Sequence, residues 1–399
     1  MQAELNIGLL GHVDHGKTSV TKALTGTWTD IHSMEIKRGI SIKLGYADSV
    51  FKKCKKCSGA EAFTRTDKCK CGNGEFEYTR KVAFVDAPGH ETLMATVIAA
   101  SSIIDGAMLI IAANEPCPQP QTKEHKMLLE TLGIKNLVVV QNKIDLVTPE
   151  KAQENYNQIK EFLADSLYKD SPIIPISANY DANIDALIEA IEKYLPTPKR
   201  EEGKDPLMYI ARSFDVNKPG AEIEKLVGGV LGGSLIQGNL KVGDEIEIRP
   251  GISKSEKSPP MPITSKIIGL HEGKESYQEV SPGGLIGLST LLDPSITKAD
   301  GLVGNVIGLP GKLPPVLSEA DFEYSLLDRV DFENPGIHQN EILVINIGTT
   351  TTLGVVDKIK KSKMHIRLRH PICANPGTTL ALSRKVGQRW RLCGKGKLL

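Results

Sequence analysis

The octapeptide Gly11-His12-Val13-Asp14-His15-Gly16-Lys17-Thr18 constrains this chain more than any other feature. It fits the pattern GxxxxGK[ST] and lies between an apolar run, Leu5 to Leu10, and a helical opening, Lys17 to Leu24. A glycine-rich turn between strand and helix lets backbone N–H groups point inward at phosphate oxygens. The helix start adds roughly half a positive elementary charge at the same place. Lys17 is placed to reach the β and γ phosphates, and the Thr18 hydroxyl to enter a magnesium shell. The nucleotide-contacting stretch is therefore Asp14, His15, Gly16, Lys17, Thr18 and Ser19.

Downstream, short apolar runs alternate with helical patterns. Strands are expected at Val82 to Val85, Ala107 to Ala112, Leu137 to Val140 and Ile173 to Ile176. Helices are expected at Glu91 to Ser102, Thr122 to Leu132, Glu150 to Asp165 and Ile184 to Tyr194. This alternation predicts a doubly wound, mostly parallel α/β sheet over residues 1–200. Residues 45–81 break the rhythm and read as an insertion, with a Cys-rich knuckle at about 50–80. Pro196 to Asp205 is charged and proline-rich and reads as a linker. Beyond it, short strands with glycine turns predict two β-barrel domains, 206–314 and 315–399. Pro250 to Pro262 reads as a loop, and Pro310, Pro314 and Pro315 mark the break between the barrels.

Composition excludes some classes. Of 399 residues, 40% are hydrophobic and 24% charged, which rules out a mainly disordered, collagenous or coiled-coil chain. Leu93 to Ala113 is the longest apolar stretch, but Ser101, Ser102, Asp105 and Gly106 interrupt it. It falls short of the ~18 to 20 unbroken apolar residues of a membrane span. No signal-peptide pattern is visible, so a cytoplasmic chain without membrane contact is expected.

Asn142-Lys143-Ile144-Asp145 follows the Leu137 to Val140 strand. A carboxylate there can accept bonds from the N1–H and exocyclic amine of guanine. Adenine offers neither donor in that arrangement, and an unpaired buried carboxylate is costly. Ser177, Ala178 and Asn179 follow the next strand and can close over the base edge. Asp86-Ala87-Pro88-Gly89 ends the Val82 to Val85 strand. Asp86 can hold magnesium through water, and the Gly89 N–H can bond a γ phosphate. His90 stands where phosphate-hydrolysing switches place the residue that orients the attacking water. Upstream, Lys37-Arg38-Gly39-Ile40-Ser41 offers a further magnesium hydroxyl at Ser41, with Asp14 and Gly39 as additional candidates.

GHVDHGKT, KRGIS, DAPGH, NKID and SAN, in this order, resemble the translational GTPases. Within that group the chain resembles the gamma subunits of archaeal and eukaryotic initiation factor two. The resemblance rests on IKLGYAD at 42–48, the cysteine cluster, PLMYIARSFDVNKPG at 206–220 and GGVLGGSLIQGNLKVGDEIEIRPG at 228–251. It covers essentially the whole chain, and the compact length favours an archaeal source. The usual switch residue is Thr where this chain has Ser41, which keeps the hydroxyl and lacks the methyl.

The resemblance implies GTP and GDP binding with Mg2+, and in-line attack of water on the γ phosphate with no arginine finger in cis. It also implies delivery of methionylated initiator tRNA to the small ribosomal subunit. The partners would be alpha and beta subunits in a heterotrimer, with the aminoacyl end held beside the GTPase domain when the switches are ordered. Two other readings stay open. One is an elongation-type or selenocysteine-type GTPase carrying another aminoacyl-tRNA. The other is a nucleotide-regulated scaffold with negligible hydrolysis.

Four of the seven cysteines cluster: Cys54-x2-Cys57 and Cys69-x-Cys71. Four thiolates in a short loop suit tetrahedral Zn2+. The surrounding Lys52, Lys53, Lys55, Lys56, Lys68 and Lys70 would lower the thiol pKa values and offset the charge. The family pattern is two CxxC pairs, so the CxC is a departure. Cys117, Cys373 and Cys393 are isolated and read as structural. Lys358 to Leu399 carries 12 basic and no acidic residues, leaving 37 basic and 48 acidic in the rest. The segment Met364 to Arg369 alternates apolar with basic, and Arg384, Lys385, Arg389, Arg391, Lys395 and Lys397 continue the theme. This face reads either as a track for a phosphate backbone or as a solvated cationic surface.

Overall fold

The computed structural model describes residues 1–29, 43–72, 74–90, 93–218, 220, 222–253, 258–329 and 331–399. Two units emerge, Ala3–Pro198 and Lys199–Leu399. In the first, the elements in chain order are β1 (Leu5–Gly11), α1 (Lys17–Thr25), β2 (Gly45–Cys54), β3 (Phe63–Thr64) and β4 (Phe76–Asp86). They continue with α2 (Met94–Ala100), β5 (Gly106–Ala112), α3 (Pro120–Leu132), β6 (Leu137–Asn142), α4 (Pro149–Leu163), β7 (Ile173–Pro175) and α5 (Ile184–Tyr194).

Every side chain of β1, β5 and β6 is buried. Such runs belong to central strands covered on both faces. The sheet order is β3-β2-β4-β1-β5-β6-β7. Pairing is parallel from β4 through β7, whereas β2 pairs antiparallel with both β3 and β4. Helix starts and stops follow local chemistry. Pro149 opens α4 behind Thr148, whose hydroxyl accepts from the Lys151 N–H. Gly133, at φ 74°, ends α3. Helix α5 buries Ile184, Leu187, Ile188 and Ile191 along one stripe. Its C-terminal carbonyls are capped by buried Arg80, which donates to Ile191 O at 3.0 Å and Leu195 O at 2.7 Å.

The inserted segment is shorter than the sequence suggested. Residues 45–54 and 76–81 belong to the sheet, and of 55–75 only Phe63–Thr64 returns to it, as the edge strand β3. The reason is one-sided burial: β2 alternates buried and more exposed positions, so its polar residues hide a strand at the edge of the hydrophobic core. Helix α2 starts at Met94, after Leu93 at φ −102°, and gives way to a 3-10 turn at Ser101–Ile103; Glu91 and Thr92 lie outside the described residues.

The second unit is β8 (Leu207–Phe214), β9 (Val230–Gln237), β10 (Leu240–Lys241), β11 (Glu245–Ile252), β12 (Met261–Glu272), β13 (Glu275–Tyr277), β14 (Glu279–Val280), β15 (Ile286–Thr290), α6 (Pro294–Thr297) and β16 (Val306–Gly308). Then follow β17 (Val316–Leu326), β18 (Ile342–Ile347), β19 (Thr350–Lys360), β20 (Lys363–Cys373), β21 (Thr379–Val386) and β22 (Arg389–Leu398). Strands β11-β16-β8-β9-β15-β12 form a ring closed by β11 on β12. Strands β17-β20-β19-β18-β21-β22 form a second closed barrel. Closure removes the open edges that strand-rich sequences must otherwise protect. Of the loop expected at Pro250 to Pro262, residues 254–257 lie outside the described residues, and the flanks belong to β11 and β12.

Each barrel has its own apolar core, and a small third cluster joins them. Val306 and Leu313 meet Cys373, with Tyr209 against them. Cys373 Sγ donates to Pro314 O, and Thr350 Oγ1 donates to Gly304 O. Gly348 lies under the Tyr209 ring: a Cβ there would sit 3.1 Å from Tyr209 Cε1.

One residue of the basic theme is not on the outside. Arg384 is buried on β21 and donates to Glu341, Asn334 Oδ1 and Pro335 O. Inward alternation on the barrel wall, not its charge, decided its side. Breaking a buried, fully bonded ion pair costs about 3 kcal/mol or more because the partner is left unpaired. We expect Arg384→Ala to destabilise the second barrel by about 3 kcal/mol. Urea unfolding of the full chain carrying Trp28→Phe, followed by Trp390 fluorescence, measures it. A shift below about 0.5 kcal/mol would be a surface-like value and would contradict the buried pair.

Candidate functional site

Gly11 ends β1 with φ 146°, and a Cβ there would fall 2.3 Å from the Ile110 carbonyl oxygen. Only glycine lets the chain leave the sheet at that point. The loop then turns through Asp14 at φ 62° and reaches Gly16 at φ 88°, directly before α1. Lys17 is buried, and its Nζ donates to Gly11 O at 3.1 Å and His12 O at 2.8 Å. The ammonium thus closes the loop from within. Gly89 packs on this ring: a Cβ there would lie 2.4 Å from Lys17 Nζ and 3.0 Å from Val13 N. The segment Asp86 to Gly89 is therefore held against the glycine-rich loop, with half-buried His90 next in line.

Asp86 is buried at the end of β4, and its Oδ2 accepts from Thr18 Oγ1 and Thr29 Oγ1, each at 2.7 Å. A hydroxyl and a carboxylate so arranged are hard oxygen donors of the kind magnesium takes. Ser41 and Gly39 lie outside the described residues.

At the other end, Asn142 finishes β6. Its Nδ2 donates to His15 O at 3.0 Å, and its Oδ1 accepts from the Ala178 N–H at 3.1 Å. Lys143 follows in the left-handed region at φ 63°. Ser177 Oγ donates to Asp145 Oδ1 at 2.5 Å. Asp145 is exposed, and a carboxylate has about four acceptor positions, so most of its capacity is left for a ligand. Ser177 and Ala182 exchange backbone bonds, closing a turn that carries Ala178 and Asn179. The structure thus brings the loop at 14–19, the 86–90 segment, 142–145 and 177–179 to the C-terminal ends of β1, β4, β6 and β7. That is where open α/β sheets bind ligands.

The His15 side chain turns away from the loop's mouth. It is buried, with Nδ1 3.0 Å from Ile110 O and Nε2 3.3 Å from Glu115 Oε2. Sequence reading missed three participants. His125, buried on α3, accepts the Gly11 N–H at Nδ1 (2.9 Å) and so is neutral. Thr29 shares Asp86 with Thr18, and Glu115 faces His15. A signal for His125 existed: it shares an inward face with Thr122, Leu128 and Leu129.

Burial pushes the His125 pKa down to about 3, helped by the nearby Lys17 cation. His12 and His15 are lowered as well, chiefly by burial.

The thiol cluster sits where β2 ends. Cys54, Cys57, Cys69 and Cys71 have their sulfurs within 4.8 Å of one another. Tetrahedral zinc with Zn–S bonds of ~2.3 Å requires sulfurs about 3.8 Å apart. Cys54 and Cys71 are 3.7 Å apart, while the CxC pair, Cys69 and Cys71, is tighter at 3.0 Å. Burial opposes ionisation of Cys54, but the Lys56 backbone, the Cys69 thiol and Cys57 bring it down to about 7. Its bond with Cys71 first, then burial, drives Cys69 up to about 12. Without a cation the four cannot ionise together, and a divalent ion supplies what they lack. Two of the flanking lysines are committed to carboxylates instead: Lys70 to Glu61 and Asp185, Lys52 to Asp67. Of the isolated cysteines, Cys373 and Cys393 are buried, and burial raises the thiols of all three to about 12.

Comparison with known proteins now adds to this geometry. Residues 2–197 match the elongation factor Tu GTP binding domain, 228–308 the elongation factor Tu domain 2, and 318–398 the C-terminal domain of initiation factor eIF2 gamma. Translation initiation factor 2 subunit gamma of Methanococcus vannielii is 54% identical over 100% of this chain and 99% of its own. That of Methanocaldococcus jannaschii is 55% identical, covering 100% and 98%. The chain belongs to the family of translation initiation factor 2 gamma subunits. It is a GTP-binding GTPase of translation initiation, and the relatives named here are archaeal. The Pyrococcus furiosus member is 52% identical over 99% of this chain and 97% of its own.

Solved structures give the fold. A bacterial selenocysteine-specific elongation factor superposes with TM-score 0.76 at 24% identity, covering 100% of this chain. The chain spans 58% of that longer protein. Elongation factor SelB of Methanococcus maripaludis, in complex with a GTP analogue, gives 0.74 at 22% identity, covering 100% of this chain and 79% of its own. Identity of 52–55% to gamma subunits, against 22–24% here, separates the initiation reading from the selenocysteine one.

The histidines predict a pH dependence. Their folded pKa values lie below the unfolded value of about 6.5, so the unfolded chain binds more protons in between. The contribution of these histidines to stability is full above about pH 6.5 and is lost as pH drops toward about 3. His125→Gln keeps an acceptor for Gly11 and removes one such proton. Between pH 7 and 5 its stability should fall less steeply, by at most about 1.4 kcal/mol per pH unit. Thermal unfolding followed by Trp28 fluorescence, in chain carrying Trp390→Phe, checks this, and parallel curves for parent and variant would sink it.

Proposed function

We propose that this chain is the GTP-binding core of a heterotrimer with alpha and beta subunits. In the GTP state it delivers methionylated initiator tRNA to the small ribosomal subunit, in the cytoplasm. The observation that carries this reading is the full-length similarity to gamma subunits, joined to a phosphate loop and base loop on one sheet edge. No helix among the described residues is long and apolar enough to cross a membrane. The functional domains would be 1–200, 206–314 and 315–399.

In this reading Gly16 to Ser19 offer backbone N–H groups to the phosphates, with Asp14 and His15 shaping the loop. Lys17 exchanges the carbonyls of Gly11 and His12 for β and γ phosphate oxygens. The Gly89 N–H bonds the γ phosphate. Asn142, Lys143 and Asp145 hold the guanine, with Ser177, Ala178 and Asn179 over its edge. Thr18, Asp86 and Ser41 would hold Mg2+, with Asp14 and Gly39 as further candidates; the ion would supply positive charge against the charge that develops on the phosphates. His90 accepts a hydrogen bond from the attacking water and orients it. Cys54, Cys57, Cys69 and Cys71 would hold a structural Zn2+.

The tRNA side has two supports. On the first barrel, a cavity of about 420 Å³ is lined by Val216, Val227, Ile268 and Tyr277. An unpaired base could bury an apolar face there. On the second barrel, Met364, Ile366 and Leu368 face the core while Arg367 and Arg369 face out, as a phosphate track requires.

Binding of methionylated initiator tRNA should be stronger with a non-hydrolysable GTP analogue than with GDP, and stronger than for an elongator tRNA. A filter-binding titration with and without alpha subunit tests this; indifference to nucleotide and to tRNA identity would refute it. His90→Ala should slow single-turnover hydrolysis by about 10- to 1,000-fold and leave GTP affinity within about twofold. An unchanged rate would remove the role of His90.

A further inference from the structure

We propose that metal occupancy of the thiol cluster is thermodynamically linked to guanine-nucleotide affinity, through Arg65 and Lys70 acting on the loop over the base. The proposal rests on the readings of the thiols as a zinc site and of residues 142–145 and 177–179 as the guanine site.

The CxC spacing puts Lys70 between two metal-binding thiols, so both of its peptide neighbours would be fixed by one ion. Lys70 Nζ lies 2.9 Å from Glu61 Oε1 and 3.3 Å from Asp185 Oδ2. Asp185 is in the first turn of α5, three residues after the base loop closes at Ala182. Arg65 Nη2 lies 3.9 Å from Asp181 Oδ1, inside that loop. Asp181 and Asn183 both adopt left-handed conformations, at φ 51° and 59°. Non-glycine residues hold such angles only where surroundings support them. The loop is thus held on one side by Asn142 and Asp145 and on the other by Arg65, while Lys70 holds the first turn of the helix that follows it.

Residues 59–64 of the knuckle pack on α5, but beyond them a cavity of about 560 Å³ opens, lined by Arg65, Thr66, Lys68 and Cys69 on one wall and by Asp181 to Asp185 on the other. Phe63 anchors the base of the knuckle in the hydrophobic core beside Ile184 and Ile188. Loss of the metal would therefore loosen residues 65–71 and leave the sheet intact. The ion pairs that bridge the gap would loosen with it.

Linkage is reciprocal: a metal that tightens GDP must itself be tightened by GDP, by the same factor. Both ion pairs are partly exposed, and such pairs are individually weak. The expected coupling is therefore about threefold to tenfold, the low end for linked sites.

The test uses the full chain, zinc-loaded and chelator-stripped. Equilibrium titration with fluorescent GDP should give a Kd about threefold to tenfold weaker in the stripped chain. Chelator competition should show saturating GDP tightening zinc by the same factor. The double variant Arg65→Gln, Lys70→Gln keeps all four thiols. It should bind one zinc per chain, bind GDP as weakly as the stripped parent, and show no effect of zinc on that affinity. This variant keeps the test decisive where stripping itself damages the fold. Equal GDP affinities in the loaded parent and the loaded double variant would overturn the proposal. So would a zinc effect that persists undiminished in the variant. Failure of the underlying readings shows separately: absence of stoichiometric zinc in the untreated chain defeats the thiol reading, and absence of GDP binding defeats the nucleotide reading.

Discussion

The side chain of Asn142 is the joint on which the cleft proposed for the nucleotide depends. It is buried, and its two ends do opposite work: the amide nitrogen holds the carbonyl of the phosphate loop, and the oxygen holds an N–H of the base loop. Two loops drawn from distant parts of the chain are thereby set at a fixed separation, which a ligand with a phosphate at one end and a base at the other requires. The same contact explains Gly16. A Cβ there would come within 2.4 Å of Asn142 Nδ2, so glycine is demanded by the joint as well as by its φ. Replacing Asn142 would leave a carbonyl and an N–H unpaired in a dry place, and the cost falls on both loops together.

Histidine chemistry supports the joint from below. His125 must stay neutral to accept the Gly11 N–H, and its burial beside Lys17 ensures that it does. Lys17 in turn occupies the two loop carbonyls. The loop is therefore ordered by its own protein contacts before any ligand arrives. Preorganisation of this kind lowers the entropic cost of binding.

Much of the fold was legible in the sequence because central parallel strands leave an unmistakable trace. Leu5 to Leu10, Ala107 to Ala112 and Leu137 to Val140 are near-continuous apolar runs, and each is a fully buried strand. The helices between them carried their own punctuation, such as Pro149 after Thr148 and Gly133 after Leu132. The barrels announced themselves by alternation, as at Met364 to Leu368. Residues 45–54 and 76–81 were not legible as sheet, because a strand with one wet face resembles a polar insertion when no partner is known. Arg384 was misread for a related reason: its charge suggested the outside, but a bidentate partner 43 residues away holds it within the wall. In the cleft, motifs marked what lies close in sequence. The His125 contact to Gly11 spans 114 residues, and no local pattern reports such a contact.

The seam between the barrels has a mechanical consequence. Tyr209 against Gly348, Thr350 on Gly304 and Cys373 on Pro314 join the barrels at points far apart in sequence. A hinge needs residues free to change φ and ψ, and these contacts remove that freedom across the seam. The two barrels are thereby tied into one compact unit over residues 199–399. A load placed on the outer face of one barrel is shared with the other through this seam.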